Sequence, residues 1–313
     1  MRVQDQRDEE LDEAARRRTI ARAREVLSEL MMRPLQPGLY LVATPIGNLA
    51  DISLRALAVL YRADLIAAED TRHSKKLLTH FGIAGELTPY HEHNAERERP
   101  RLMARLSAGQ AIALISDAGT PLVSDPGYKF VREALNQGIV VTSIPGPSAV
   151  LAGLTVAGLP TDTFLFAGFL PPKSGPRRGR LEELKEVPAT LILFETGPRL
   201  AKSLTDMAAI LGAREAAIAK ELTKLHEGVR RGTLDRIARE IQDSEALKGE
   251  FVVVIAPPQE DEADISDANI IEQLEKALNV ESFRDAVQSV AEMLQVKRSR
   301  VYQLGLVMPR MRD

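Results

Sequence analysis

Two hydrophobic periodicities alternate along most of the chain. Short apolar runs, of the length and composition of buried strands, are separated by stretches with apolar residues at helical spacing. Runs at 39–44 (LYLVAT), 64–70 (DLIAAED), 111–116 (AIALIS) and 140–144 (VVTSI) predict strands. Segments 53–63, 73–81, 99–109, 128–138 and 147–158 predict helices; Gly138 ends the fourth and Pro147 opens the fifth. Strands alternating with helices predict a parallel α/β sheet with helical crossovers. A break at 158–162 (GLPTD) separates this from a second α/β unit. Its predicted strands are 163–169, 190–195, 215–222 and 249–256, with helices over 198–211 and 234–245.

The two ends have a different texture. Residues 9–30 read as a charged helix that breaks at Pro34 and Pro37. Residues 257–267 (PPQEDEADISD) form a proline-then-acid linker, followed by helices over 270–279, 282–295 and 297–308. The expected organisation is a charged extension (1–36), a first α/β domain (37–159), a second (160–258), and an acidic linker with a helical tail (259–313).

Composition narrows the class. At 313 residues and 44% hydrophobic content, the chain has enough apolar material for two ordinary domains. With no cysteine, disulfides and cysteine-ligated zinc are excluded, which suits a reducing cytoplasm. No apolar run approaches the roughly 20 residues that span a bilayer, so no membrane partner is expected. The first 33 residues hold eight Arg and eight Asp or Glu, unlike a secretion signal or a transit peptide. The net charge of −3 conceals local blocks: 171–180 and 297–313 each carry +4, and 259–295 carries −8. Each basic block reads equally as a phosphate contact or as solvated surface.

Candidate chemistry lies at predicted strand ends, where ligands bind in parallel α/β sheets. Loops 44–48 (TPIGN), 117–127 (DAGTPLVSDPG) and 145–149 (PGPSA) combine Gly and Pro, and 69–76 (EDTRHSKK) is strongly polar. Neither G-x-G-x-x-G nor a Walker A sequence occurs. Such loops suit a ligand without phosphates, such as an adenosine with a zwitterionic amino-acid tail. Asp125 reads as a turn residue before a helix. His91 and His93 alternate in YHEHN, but two histidines without a third placed ligand make a poor metal site; no metal is expected.

VATPIGNLADISLRA, AAEDTR, LISDAGTPLVSDPG, IPGPSA, GFLPPK, LFETGPRL and KELTKLHE, in that order, resemble the tetrapyrrole-methylase superfamily. The resemblance implies two α/β domains with an S-adenosyl-L-methionine cleft between them. Within the superfamily the set is similar to enzymes that methylate the ribose 2′-oxygen of a cytidine in the decoding centre of 16S rRNA. That likeness implies a homodimer acting on 16S rRNA, free or within the assembled small ribosomal subunit. The cofactor-binding residues so implied are Pro45, Asp117, Ala118, Gly119, Leu122, Ser148 and Ala149 from the first domain. Phe194, Glu195, Glu221, Gly249 and Glu250 are implied from the second. For Asp117, a loop-capping role is the alternative.

A ribose hydroxyl is weakly acidic, so a positioned proton acceptor would help. Asp70, His91, Glu92 and Lys173 are the candidates, and Arg72 and Asn94 are expected on the substrate side. An Asp70–Arg72 pair that merely holds its loop is the competing reading. The basic segment 168–180 is expected to be a flexible loop gripping RNA through Lys173, Arg177 and Arg178. Residues 286–306 resemble a helix-turn-helix with its turn at Gln295 and Val296, offering Lys297, Arg298 and Arg300 to RNA; a purely structural bundle is the alternative. Two other functions compete: methylation of a tetrapyrrole or a modified histidine, and non-catalytic RNA binding.

Overall fold

Strands that are apolar at nearly every position need cover on both faces, and the first sheet has it. The computed structural model describes residues 2–242, 247–258, 266–294 and 296–308, with side chains from Asp12 onward. Five parallel strands, β1 (Gly38–Val42), β2 (Leu65–Ala68), β3 (Leu87–Pro89), β4 (Ala111–Ile115) and β5 (Val141–Ile144), lie in the order β3-β2-β4-β1-β5. The pleat divides their side chains. Tyr40, Val42, Ile66 and Ile115 pack on one face with α2 (Leu54–Arg62) and α3 (Thr71–His80). Leu39, Leu65, Ile112 and Leu114 pack on the other with α4 (Ala95–Ser107) and α5 (Tyr128–Asn136). The long N-terminal helix α1 (Arg2–Met32) joins the first of these cores through Leu27.

The second sheet is mixed. β6 (Phe164–Phe169), β7 (Thr190–Thr196), β8 (Glu215–Lys220), β9 (Gly228–Thr233) and β10 (Glu250–Ile255) run in the order β6-β7-β10-β8-β9, with only β6 and β7 parallel. Helices α7 (Ser174–Lys185), α8 (Gly197–Leu211) and α9 (Leu234–Gln242) cover one face. Helix α6 (Ala149–Ala157) leaves the first sheet from β5, yet buries Val150, Leu154 and Ala157 against Ile192, Ala217 and Val252 of the second. Gly153 permits this close approach, because a Cβ there would lie 2.5 Å from Cγ1 of Val252.

Three elements differ from the sequence reading. Segment 174–185 is a helix, α7, and not a flexible loop: Leu181 and Leu184 are buried. β3 and β9 were not anticipated. Both are edge strands, one three residues long and ending on Pro89, the other carrying Arg230 and Arg231 without apolar alternation.

Residues 258–313 form a separate compact unit. Helices α10 (Asp267–Leu278), α11 (Phe283–Met293) and α12 (Arg298–Val307) enclose Ile270, Leu274, Val287, Val290 and Val301. The acidic stretch 259–265, residues 243–245 of the expected 234–245 helix, and Gln295 lie outside the described residues. Among those described, no helix is long and apolar enough to cross a membrane.

Candidate active site

β4, β1 and β5 are neighbours in the first sheet, so the loops that follow them emerge side by side. Hydrogen bonds fasten these loops together. Thr44 and Gly119 exchange backbone hydrogen bonds of 2.9 and 3.0 Å, and Thr120 Oγ1 donates to the carbonyl of Pro147 at 3.2 Å. The loop after β2 is tied in as well: the Asp70 N–H donates to Asp117 Oδ1 at 2.9 Å. Across the cleft, Asn48 N–H donates to Thr223 Oγ1 in the loop after β8.

Backbone strain is concentrated in these loops. Among the described residues, four non-glycines have positive φ: Leu122 (74°), Ser124 (67°), Glu221 (50°) and Thr223 (66°). Each such residue costs about 1–3 kcal/mol, a burden that the surrounding structure must hold in place. Two belong to the loop after β4 and two to the loop after β8, and the residues between and beside them line a cavity of about 310 Å³.

The cavity has two chemically distinct sides. Glu69, Asp117 and Asp125 make one of them acidic. Burial raises the pKa of Glu69, and the charge of Asp117 adds to this; nearby His91 acts in the opposite sense. Burial, then the charges of Glu69 and Asp117, push Asp125 up to about 6, against a hydrogen bond with Ser116. Asp125 Oδ2 is buried without a partner. Val150, Ala219, Leu222, Val252 and Phe194 form an apolar wall. At its edge, Lys224 Nζ is held between Glu221 Oε1 (3.0 Å) and Glu250 Oε2 (2.7 Å). Among the described residues, no group of three or more His, Asp or Glu is disposed to hold a metal ion.

A family model described as tetrapyrrole (corrin/porphyrin) methylases matches residues 38–238. This chain belongs to the tetrapyrrole methylase family. It is therefore a methyltransferase whose cofactor is S-adenosylmethionine. The methylase is 59% identical over 233 residues to a Mesorhizobium japonicum protein named ribosomal RNA small subunit methyltransferase I, covering 74% of this chain and 79% of that one. A Pseudomonas aeruginosa protein of the same name is 46% identical over 271 residues, covering 86% and 96%. The crystal structure of diphthine synthase superposes with a TM-score of 0.55 at 19% identity, over 70% of this chain and 89% of that one, a likeness of fold.

The cavity fits the family's cofactor. An acidic side suits a sulfonium or ammonium cation, an apolar wall suits a purine, and the volume lies near the lower end of the roughly 300–1,000 Å³ usual for small-molecule sites. Of the residues expected to hold the cofactor, Asp117, Ala118, Gly119, Ser148, Ala149, Phe194, Glu195 and Glu250 line the cavity. Pro45, Leu122, Glu221 and Gly249 do not, although each adjoins a residue that does. Glu195 contributes wall only. Its carboxylate accepts from the Thr196 N–H and Ser203 Oγ and pairs with Arg199 at 3.2 Å.

Asp125 requires a correction, since it lines the cavity as well as the turn. Glu69, Phe169 and Lys224 were not assigned, although each lies inside a motif quoted above, AAEDTR, GFLPPK and KELTKLHE.

The other candidates are placed as follows. Asp70 caps α3 and pairs with Arg72 at 2.9 Å; hydrogen bonds from Arg72 hold its carboxyl down to about 2. That is the loop-holding pair, and it makes Asp70 a weak base. Asn94, expected to face substrate, is buried: its Oδ1 accepts from the His91 N–H, and its Nδ2 donates to the Pro89 carbonyl. His91 sits in the same turn with Nδ1 buried and unpartnered, its ring 6.1 Å from that of His93. Arg177, expected on RNA, is also buried, 2.6 Å from Asp206. Arg178 reaches Asp206 too but stays half exposed, and Lys173 is exposed at the start of α7. In the tail, Lys297 and Arg298 are exposed, and Arg300 pairs with Asp267 at 2.8 Å.

Proposed function

We propose that the methylase acts on the small-subunit ribosomal RNA, at the ribose 2′-oxygen of a cytidine in the decoding centre. The near full-length match to relatives named for that RNA carries the reading. The motif-level likeness to the ribose-methylating branch supplies the finer claim. The working form we expect is a cytoplasmic homodimer that recognises 16S rRNA within the assembled small subunit.

When bound, the cofactor supplies an electrophilic methyl group. The chain's own work is to hold, orient and deprotonate. Asp117 and Asp125 face the cofactor's cationic end. Ser148 and Ala149, at the start of α6, offer backbone N–H groups to its carboxylate. Phe194, Leu222 and Val252 pack on the purine. Glu69 takes the ribose proton: it lines the cavity, and burial makes its carboxylate a stronger base than a free one.

The test is methyl transfer to assembled small subunits and to naked 16S rRNA, followed by nucleoside analysis. A single 2′-O-methylcytidine, resistant to alkaline cleavage, is expected. Label confined to a base, or transferred only to a porphyrinoid, would overturn the reading.

A further inference from the structure

Two phenyl rings face the cavity, whereas the ring of Phe251 packs into the helix-covered core. The two differ in exposure: Phe194 is half-buried, but Phe169, the last residue of β6, is 51% exposed. An irregularity in the sheet puts its ring there. Phe164, Leu165 and Phe166 pair in step with Thr190, Leu191 and Ile192; then Gly168 pairs with Leu193 and Phe169 with Phe194. Ala167 is the extra residue of a β-bulge, and Gly168 turns through φ +68°, a conformation that favours glycine.

Side chains alternate along a strand, so a one-residue insertion exchanges faces for everything that follows. Before the bulge, Leu165 packs toward α7 and α8, and Phe166 toward α6. An uninterrupted strand would send Phe169 the way of Leu165, into the helix-covered core. With the bulge, Leu170 takes that place and is buried, and the Phe169 ring stands 5.5 Å from Phe194 on the cavity side. The fold thus withholds a phenyl ring from the core and leaves it half in water, at the mouth of the site.

We propose that Phe169 is the stacking platform for the base of the acceptor nucleotide. This rests on the RNA reading above. The deeper apolar wall of Ala219, Leu222 and Val252 already serves a purine from the cofactor, whereas Phe169 lies at the rim. Ser124 of the opposite loop is exposed beside it: a Cβ on Gly168 would sit 3.4 Å from Ser124 Oγ. Beyond the ring the chain runs through Leu170, Pro171 and Pro172 to the exposed Lys173. An aromatic face with an exposed cation a few residues along the chain suits a single unstacked nucleotide, with the ring on its base and the cation on its phosphate.

The experiment compares wild type with Phe169→Ala, Phe169→Leu and Phe169→Trp in methyl transfer to assembled small subunits, and measures S-adenosylmethionine affinity by calorimetry. Phe169→Ala should raise the KM for subunits by about 5- to 150-fold, the range of one lost base stack, and leave cofactor affinity within about twofold. Phe169→Trp should restore KM and Phe169→Leu should not. Three results would overturn the assignment: an unchanged KM in the alanine variant, an equal loss of cofactor affinity, or rescue by leucine as complete as by tryptophan. Wild-type protein that methylates no small-subunit RNA would instead sink the RNA reading, and the assignment with it.

Discussion

Asp125 shares a buried pocket wall with Glu69 and Asp117, and its proton affinity records that crowding. Its pKa rises from 3.8 in the ordinary case to about 6 in the fold. The folded state therefore holds this proton more tightly than the unfolded chain does. Stability from this group is present at low pH, declines between about 4 and 6, and stays lost above that. Asp125→Asn should raise the melting temperature at pH 7.5, with the gain shrinking toward pH 4; an equal gain at both pH values would count against a titrating Asp125. A cationic ligand eases the same repulsion. Binding of S-adenosylmethionine at pH 6 should release protons, seen as a buffer-dependent enthalpy, and Asp125→Asn should diminish that release. S-adenosylhomocysteine, whose sulfur is uncharged, should release fewer. Asp117 accepts from the Asp70 N–H and lines the cavity, where in the proposed reading it also faces the cofactor. Asp117→Ala loses both and should weaken cofactor binding by about 1.5–3 kcal/mol. Asp117→Asn keeps an acceptor for the cap, so any loss it shows in calorimetry isolates the charge. Unusual composition marked the loop 117–127 in the sequence, and the family resemblance singled out Asp117 within it. Asp125 was hidden because Asp-Pro-Gly also spells a turn, and both descriptions hold.

Elements whose role is set by their own sequence were the legible ones. The eight apolar strands and the helices with an apolar stripe fall within a few residues of their predicted limits, because burial on a sheet imposes the pattern directly. Helix α7 was not legible. SGPRRGR holds two glycines, a proline and three arginines, and only a partner on another element explains it: Asp206 of α8 receives Arg177 and Arg178. Local composition carries no trace of a buried ion pair formed 29 residues away. Strands β3 and β9 were lost because neither carries an apolar pattern, one being three residues ending on Pro89 and the other GVRRGT, whereas the apolar edge strands β5 and β6 were legible. Helix α6 was legible as a helix but not in its allegiance. Gly153→Ala should lower the melting temperature, by about 1–3 kcal/mol in stability, because the new methyl meets Val252. It should also weaken cofactor binding, since Ser148 and Ala149 open the same helix. The added change Val252→Ala should recover part of both losses; a double variant no better than the single one would show that the contact is not what limits α6.

At the scale of the whole molecule, charge is distributed in blocks. The tail offers Lys297 and Arg298 at the exposed start of α12. If these meet phosphate, replacing both with Gln should flatten the salt dependence of RNA binding by about 0.7–0.9 per lost contact. Cofactor affinity should not change. An unaltered salt slope would mark the tail as a structural bundle. The allegiance of α6 has a larger consequence. The chain of the first sheet continues into a helix whose buried apolar residues cluster mainly with the second sheet. Val150, Leu154 and Ala157 would stand in water if the polypeptide were severed near residue 159, and the second sheet would lose the cover of one face. The two halves of this enzyme are thus separable in a drawing of its strands but not in its energetics. They should melt together, in one calorimetric transition over residues 37–257, and neither half should fold when expressed without the other.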